Sequence, residues 1–128
     1  SEMSEAINVA NESIAASTER NSAAKNSGIQ SAAVSTGSSS IAKNTGTHSI
    51  AVSTGDESEA IVSGGQSVAI SIGWRSKAKG ALGCWLVLAE CRSKEVIDVK
   101  STQVDGDRIK VNTFYRLKNG EFVECKGM

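Results

Sequence analysis

The chain has 128 residues, with 14 basic and 14 acidic side chains and a formal net charge of zero. This balance excludes a broad basic field that would attract nucleic acid or an anionic membrane surface. No apolar run is long enough to span a bilayer, and the first residues lack the pattern of a secretion signal. We therefore expect neither a nucleic-acid partner nor a membrane span.

The cysteine content argues against a structural metal site. Cys84, Cys91 and Cys125 form no Cys-x-x-Cys motif, and the chain has a single histidine, so we expect no bound metal. Reduced thiols that pack as small apolar side chains are the favoured interpretation, with a Cys91 to Cys125 disulfide as the alternative. Reduced thiols and the missing signal favour the cytoplasm or a phage particle. A cell-surface location stays open if the chain is part of a longer protein.

A nine-residue unit, Ser-x-Ala-x-x-x-Gly-x-x, organises the chain from residue 4 to residue 83. Serine and alanine hold their columns without exception, whereas glycine is replaced at the two ends of the array. The serines are Ser4, Ser13, Ser22, Ser31, Ser40, Ser49, Ser58, Ser67 and Ser76, the alanines lie two residues after each, and the glycine column runs from Gly28 to Gly73, with Ala10, Glu19 and Leu82 at its ends. Such self-similarity is typical of a solenoid.

Each unit is predicted to form a short strand followed by a turn. Residues two apart in a strand point to the same face, so the serine and alanine columns would share an inner face where only small side chains fit. The glycine would supply a turn conformation that a side chain opposes. A helix is a poor alternative, because a nine-residue period does not keep a column on one helical face.

Alternate units differ, which makes the true repeat eighteen residues long. Lys25-Asn26 and Lys43-Asn44 follow the alanine in one set, and Val34-Ser35 and Val52-Ser53 follow it in the other. We therefore predict an all-β protein, a two-sheet parallel β-solenoid (a β-roll) with two strands per coil. It would have about four and a half coils that rise roughly 4.8 Å each.

The outward positions of the two predicted sheets differ in chemistry. On one sheet they mix charged and apolar residues, whereas on the other they are wholly apolar. The apolar set contains Ile14, Ala16, Ala32, Val34, Ile50, Val52, Val68 and Ile70. Soluble monomers seldom expose a contiguous apolar patch, so we expect a homo-oligomer, a dimer or a trimer, that covers this sheet. The alternative is a reversed pleat that buries the apolar columns internally.

The repeat stops near residue 83, and residues 84–128 predict a small antiparallel β-meander. Cys84–Glu90 is an apolar run of strand length, and Glu95–Lys100 alternates. The dipeptides Asp105-Gly106 and Asn119-Gly120 predict hairpin turns, the second joining residues 113–118 to residues 121–126. We divide the chain into a solenoid (1–83) and a C-terminal cap (84–128) that covers unpaired strand edges.

The serine, alanine and glycine columns, with β-branched residues between them, resemble the head repeats of YadA-like trimeric autotransporter adhesins over residues 4–83. That resemblance implies a β-roll assembled as a trimer. Residues 76–90, with Val104-Asp-Gly and Leu117-Lys-Asn-Gly-Glu-Phe-Val-Glu124, resemble an uncharacterised group of small bacterial and phage proteins. The second resemblance implies no activity.

Few residues suggest chemistry. His48 falls in a turn without a partner base or cofactor pocket, so we expect an exposed residue and no catalytic site. Asp56-Glu57 occurs in one turn only, whereas a calcium-binding roll needs acidic residues in successive turns. Thr18, Thr36 and Thr54 form a single column, which makes ice binding a remote alternative.

The junction between the two parts holds the candidate ligand contacts. A sugar could stack on an exposed Trp74 beside Arg75, although a tryptophan at such a seam more often fills the interface core. We expect a non-enzymatic, self-associating structural or attachment module of a bacterial or phage assembly, without a cofactor. A carbohydrate-binding or other surface-ligand protein is the alternative, and an enzyme of unknown class ranks third.

Overall fold

The computed structural model describes residues 5–93 and 95–125, which form thirteen β-strands and no helix. Among these residues there is accordingly no helix with the length and apolar character needed to cross a membrane. Ser4 and Lys126, which the sequence assigned to the first repeat and the last strand, lie outside the described residues. The strands are β1 (Glu5–Asn8), β2 (Ile14–Ser17), β3 (Ala23–Asn26), β4 (Ala32–Ser35), β5 (Ile41–Asn44), β6 (Ile50–Ser53), β7 (Glu59–Val62), β8 (Val68–Ser71), β9 (Lys77–Gly80), β10 (Trp85–Arg92), β11 (Glu95–Gln103), β12 (Tyr115–Lys118) and β13 (Glu121–Glu124).

Two sheets contain all the strands. The mixed-face sheet has the order β1-β3-β5-β7-β9-β12-β13, and the apolar-face sheet has the order β11-β10-β8-β6-β4-β2. Within the repeats, neighbouring strands are parallel and eighteen residues apart, so that Ala24 pairs with Ala42 and Ala42 with Ala60. The predicted two-sheet β-solenoid is therefore confirmed.

The solenoid continues one strand further than its sequence columns. Strand β10 pairs in parallel with β8, with Trp85 beside Val68, a step of 17 residues instead of 18. This strand completes a fifth coil, whereas the sequence predicted four and a half. The division predicted between residues 83 and 84 falls between β9 and β10, and the two parts share both sheets.

The interior of the coils is built from small side chains. In the repeated alanine column, the residues from Ala24 to Ala78 have no exposed surface, and Ala15 is 4% exposed. Larger side chains take over where the repeat ends: Leu86 and Leu88 continue the inner columns of β8, and Tyr115 pairs with Ala78. These three side chains are at most 3% exposed, so the cap adds buried leucine and tyrosine side chains to the end of a stack whose interior is otherwise built from small residues.

The serine column holds successive coils together by hydrogen bonds. The Ser49 hydroxyl accepts from the Ser31 backbone N–H at 3.2 Å and shares its proton between the carbonyl oxygens of Gly28, at 3.3 Å, and Thr47, at 3.0 Å. The same hydroxyl-to-carbonyl bond, to the residue 21 positions earlier, recurs for every serine of the column from Ser31 to Ser76. Cys84 takes over this role in the fifth coil, where its Sγ lies 3.0 Å from the Gly64 carbonyl oxygen.

The glycine column has a different cause from the one predicted. None of its glycines has positive φ; the left-handed residue comes two positions later, at Gln30, His48 and their equivalents, with φ near 55°. A Cβ on Gly46 would lie only 1.9 Å from the Gly28 carbonyl oxygen of the coil before. Glycine is therefore required because two backbones approach too closely for a side chain.

The two hairpin dipeptides behave differently. Asn119 (φ 52°) and Gly120 (φ 77°) turn β12 into β13, as predicted. Asp105-Gly106 was wrongly predicted to join two paired strands, because the chain here crosses from one sheet to the other. The Asp105 carboxylate accepts hydrogen bonds from the backbone N–H groups of Asp107 and Ile109, which lowers its pKa and shapes this crossing loop.

Substitution of a stacked glycine tests the close approach. We expect Gly46→Ala to lower the free energy of unfolding by about 3 kcal/mol or more, because its Cβ meets backbone that cannot move aside. Gly65→Ala is the matched control, since a Cβ there has nothing within 4 Å, and should stay within about 1 kcal/mol of the native value. Urea unfolding measures both, and equal effects would contradict the packing account.

A serine pair in one coil separates bonded from unbonded hydroxyls. Ser53 Oγ is buried without a hydrogen-bond partner, like Ser17, Ser35 and Ser71 in the same column. We expect Ser49→Ala to cost about 1–3 kcal/mol of unfolding free energy, because the Ser31 N–H loses its acceptor, and Ser53→Ala to be neutral or stabilising. Urea unfolding would contradict this if Ser53→Ala were the more damaging change.

Candidate functional site

The predicted apolar outer face is present. All eight of its residues lie on the outer side of the apolar-face sheet, in the two columns Ile14, Ala32, Ile50, Val68 and Ala16, Val34, Val52, Ile70. The alanines between them are buried, so the alternative of a reversed pleat is wrong. Ile14 is 68% exposed and Ile50 41%, which leaves the face open to solvent in the single chain.

Sequence reasoning missed the continuation of this face. Trp85 and Val87 follow Val68 and Ile70 in the two columns, and Trp85 is 44% exposed. On β11, Val99 pairs with Ala89 and is 55% exposed. The apolar outer face, defined from here on as these residues together with the predicted eight, thus crosses five strands in its two columns. On β11, Gln103 and Ser101 pair with Trp85 and Val87, and Val99 lies beside the columns. The 17-residue step hid it, because a search at intervals of eighteen puts Trp85 in the serine column.

The mixed-face sheet carries its charges in pairs along the stack. Lys25 Nζ lies 3.0 Å from Glu5 Oε2, and Lys77 Nζ lies 3.5 Å from Glu59 Oε2. Lys25 and Lys43 are register neighbours, as the sequence predicted, and Lys43 has no ion-pair partner within residues 5–93 and 95–125. The Lys25–Glu5 pair is exposed and contributes little stability, whereas Lys77 and Glu59 are mostly covered, with side chains 13% and 27% exposed. The charges make this face compatible with water.

A cleft lies where the solenoid meets the cap. Its volume is about 480 Å³, within the range of small-ligand sites. A second cleft of about 170 Å³ shares Arg75 and Arg116 with it and adds Trp74. The larger cleft is lined by Glu57, Glu59, Arg75, Lys77, Arg116, Val123, Glu124 and Cys125.

The cations of the cleft differ in how they are used. Lys77 is paired with Glu59, and Glu124 lies 3.5 Å from Lys110, so these charges are partly balanced. The Arg75 guanidinium stacks on Trp74, 5.1 Å from the ring centroid. Arg75 and Arg116 form no ion pair in the part of the chain that the structure describes. They are the two cations best placed to meet an anionic group.

The tryptophans do not fill the core of the junction. Trp85 lies on the apolar outer face, and Trp74 is partly exposed in the corner before β9, where its backbone N–H donates to the Asp56 carboxylate at 3.0 Å. The same corner contains both predicted ligand contacts, Trp74 and Arg75. The structure therefore brings an aromatic ring and a guanidinium together in the lining of the second cleft.

Glu90, which lines the second cleft, links β10 to the turn between β12 and β13. Its carboxylate accepts hydrogen bonds from the Asn119 and Gly120 N–H groups at 2.7 and 3.0 Å. These bonds, with a smaller contribution from Arg92 and Lys100, hold the pKa of Glu90 below its usual value. Phe114 packs nearby between Lys77 and Lys79, whose Nζ atoms are each 4.6 Å from the ring centroid.

All three thiols are free. Burial raises the pKa of both Cys91 and Cys125, which keeps these side chains protonated near neutral pH. Cys91 Sγ lies 3.3 Å from the Ile72 carbonyl oxygen, and Cys84 is used in the serine column. The thiols thus act as packing groups and weak donors.

The other residues singled out by sequence lie apart from the cleft or act in backbone bonding. His48 is exposed in a corner, where its backbone N–H donates a hydrogen bond to the Gly65 carbonyl oxygen. Asp56 and Glu57 are tied into the corner by the bonds to Trp74. Thr18, Thr36 and Thr54 are exposed at successive corners, and ice binding stays a prediction.

No group of three or more histidine, cysteine, aspartate or glutamate side chains in residues 5–93 and 95–125 is arranged to hold a metal ion. Comparisons with protein-family models, curated proteins and solved structures found no match to the chain. The resemblance to trimeric adhesin heads therefore stays a prediction, and the argument for function depends on the two surfaces described above.

Proposed function

We propose that this chain is a non-enzymatic structural or attachment module that associates with copies of itself through the apolar outer face. One observation carries the proposal: two columns of apolar side chains cross the sheet on its outer side, in register from coil to coil. The opposite sheet, built from the same repeat, carries paired charges at the same positions. Because the repeat itself does not require an apolar outer surface, the difference between the sheets calls for a partner on one side.

A second copy fits the face better than water does. Fully burying an exposed valine or isoleucine contributes about 1.5–3 kcal/mol before the cost of association, and covering the partly exposed side chains of this face contributes a fraction of that for each. A face built from short, regular strands is flat and repeats its own spacing, so two or three copies can pack against each other in a closed arrangement. The resemblance to trimeric adhesin heads favours three copies and a role in a bacterial or phage assembly.

Paired substitutions on the two sheets test self-association. We expect the native protein to have the mass of a dimer or trimer and Val52→Asp to have the mass of a monomer, because a carboxylate on the apolar outer face would have to be buried without a partner. Multi-angle light scattering measures the mass.

The control is Ile61→Asp, which makes the same chemical change at the same outward position of the mixed-face sheet, beside Lys43 and Lys79. It should leave the mass of the oligomer unchanged. A native monomer, or equal dissociation by both variants, would contradict the proposal.

The cleft supports a second candidate function, the binding of a carbohydrate or another surface ligand. Trp74 offers an aromatic ring in the second cleft, and Arg75 and Arg116, which line both clefts, offer donors that fit a carboxylate or sulfate group. This geometry favours an acidic sugar over a neutral one. The two candidates are compatible, because the cleft and the apolar outer face involve different side chains.

Glycan-array binding followed by titration tests the second candidate. We expect Trp74→Ala and Arg116→Ala each to weaken binding of an acidic oligosaccharide about tenfold or more, since stacking and a charged hydrogen bond are each worth more than 1 kcal/mol. Trp85→Ala is the control, because this ring lies on the apolar outer face. Absence of acidic glycans among the ligands, or an equal loss with Trp85→Ala, would remove this candidate.

A further inference from the structure

The two ends of the coil stack are finished differently. At the C-terminal end, β11 covers β10 in antiparallel pairing, and the β12–β13 hairpin follows β9. At the other end, β1 and β2 are the outermost members of their sheets. Edge strands of this kind invite pairing with further strands, and the most closely matched strands are those of another coil of the same repeat.

The glycine column shows what a stacked coil requires. A Cβ on Gly28 would lie 1.9 Å from the Ala10 carbonyl oxygen, and a Cβ on Gly37 would lie 2.1 Å from the Glu19 carbonyl oxygen. The same clash recurs in every later coil, up to Gly73 against Gly55. At the 18-residue spacing, a residue in this column can therefore carry a side chain only if no coil lies beneath it; Leu82, at the other end of the column, lies in the corner where the step is one residue shorter.

The first coil carries side chains at both of these positions, Ala10 and Glu19. Its corners have the same backbone geometry as the later ones, since Glu12 and Asn21 have φ of 55° and Gln30 has φ of 57°. The Cβ atoms of Ala10 and Glu19 thus point to the places where the carbonyl oxygens of a further coil would lie.

The serine hydroxyls of the first coil are satisfied within that coil, by a bond that Ser76 also forms to the Gly73 carbonyl oxygen. Ser31 and Ser40 donate across to the coil beneath, to the carbonyl oxygens of Ala10 and Glu19. Ser13 and Ser22 instead donate to those same carbonyl oxygens from within their own corner. The first coil therefore satisfies its hydroxyl donors without any coil below it.

We propose that Ala10 and Glu19 act as a built-in stop. Their side chains prevent a further coil of this repeat, including one supplied by a second copy of the chain, from stacking on the open end. Growth of a filament by stacking further coils of this repeat on this end is thereby blocked. This inference does not depend on the proposed function, because it holds whether or not copies pack side by side. It concerns coil stacking only, and a segment of another conformation at the same edge is compatible with it.

An inserted coil tests the stop directly. A copy of residues 22–39 is placed immediately before residue 4, so that its two glycines lie eighteen residues before positions 10 and 19. One version keeps Ala10 and Glu19, and the other carries Ala10→Gly with Glu19→Gly. Hydrogen exchange measured by mass spectrometry reports whether the inserted coil is stacked, because its strand amides are protected only when they pair.

We expect the inserted coil to exchange like unstructured chain in the first version and at least about tenfold more slowly in the second. Protection in the first version would overturn the proposal, and so would absence of protection in the second. The double glycine variant without the insertion is the control, and its exchange over residues 22–80 should match the native protein.

A reciprocal variant needs no insertion. Gly28→Ala with Gly37→Glu places the two stop residues in the second coil of the native chain. Residues 5–21 should then lose their protection by about tenfold or more, while residues 41–80 keep theirs. Unchanged protection of residues 5–21 would show that side chains in this column do not prevent stacking, and would overturn the proposal.

Discussion

The coils of the solenoid meet backbone on backbone at their corners, where a glycine in one corner lies against the carbonyl group of the corner beneath it. At Gly46 there is no room for even a methyl group. This approach lets the hydroxyl of Ser49 reach the carbonyl of Gly28 in the coil beneath, and it lets the inner alanines of the two sheets fill a narrow interior. Serine, alanine and glycine are thus selected together by one spacing, and a change at any of the three columns disturbs the other two.

A core of alanine and serine buries little apolar surface, so the stack gains little from its own interior. The larger apolar side chains lie at the ends and on the outside: Leu86, Leu88 and Tyr115 close the C-terminal end, and isoleucine and valine cover the outer side of one sheet. This distribution is the reverse of an ordinary globular core. It agrees with the proposal that much of the apolar burial comes from association between copies. The charged side chains of the mixed-face sheet, by contrast, suit contact with solvent.

The repeat made the fold predictable, because a strict period fixes both the strands and the face to which each residue points. The outward position of Val34 and Val52 followed from that alternation. Reasoning by columns failed where the spacing changed: the one-residue shortening before Trp85 hid the parallel pairing of the tenth strand with the eighth and the end of the apolar outer face. It also explained the glycines by a special turn conformation, because a clash with the preceding coil depends on atoms distant in sequence. The sequence predicted only part of the lining of the two clefts. Trp74 and Arg75 were identified as candidate contacts, but Arg116 was not, because it reaches the clefts from the distant cap.

The most direct test of the central claim uses Trp85, which lies on the apolar outer face and is 44% exposed in the single chain. A Trp74→Phe background makes it the only tryptophan, and acrylamide quenching then measures its accessibility. The proposed association predicts that Trp85 is shielded in this background and becomes accessible when Val52→Asp is added. Equal and strong quenching in both proteins would contradict it, because the face would then be open to solvent with no copy covering it.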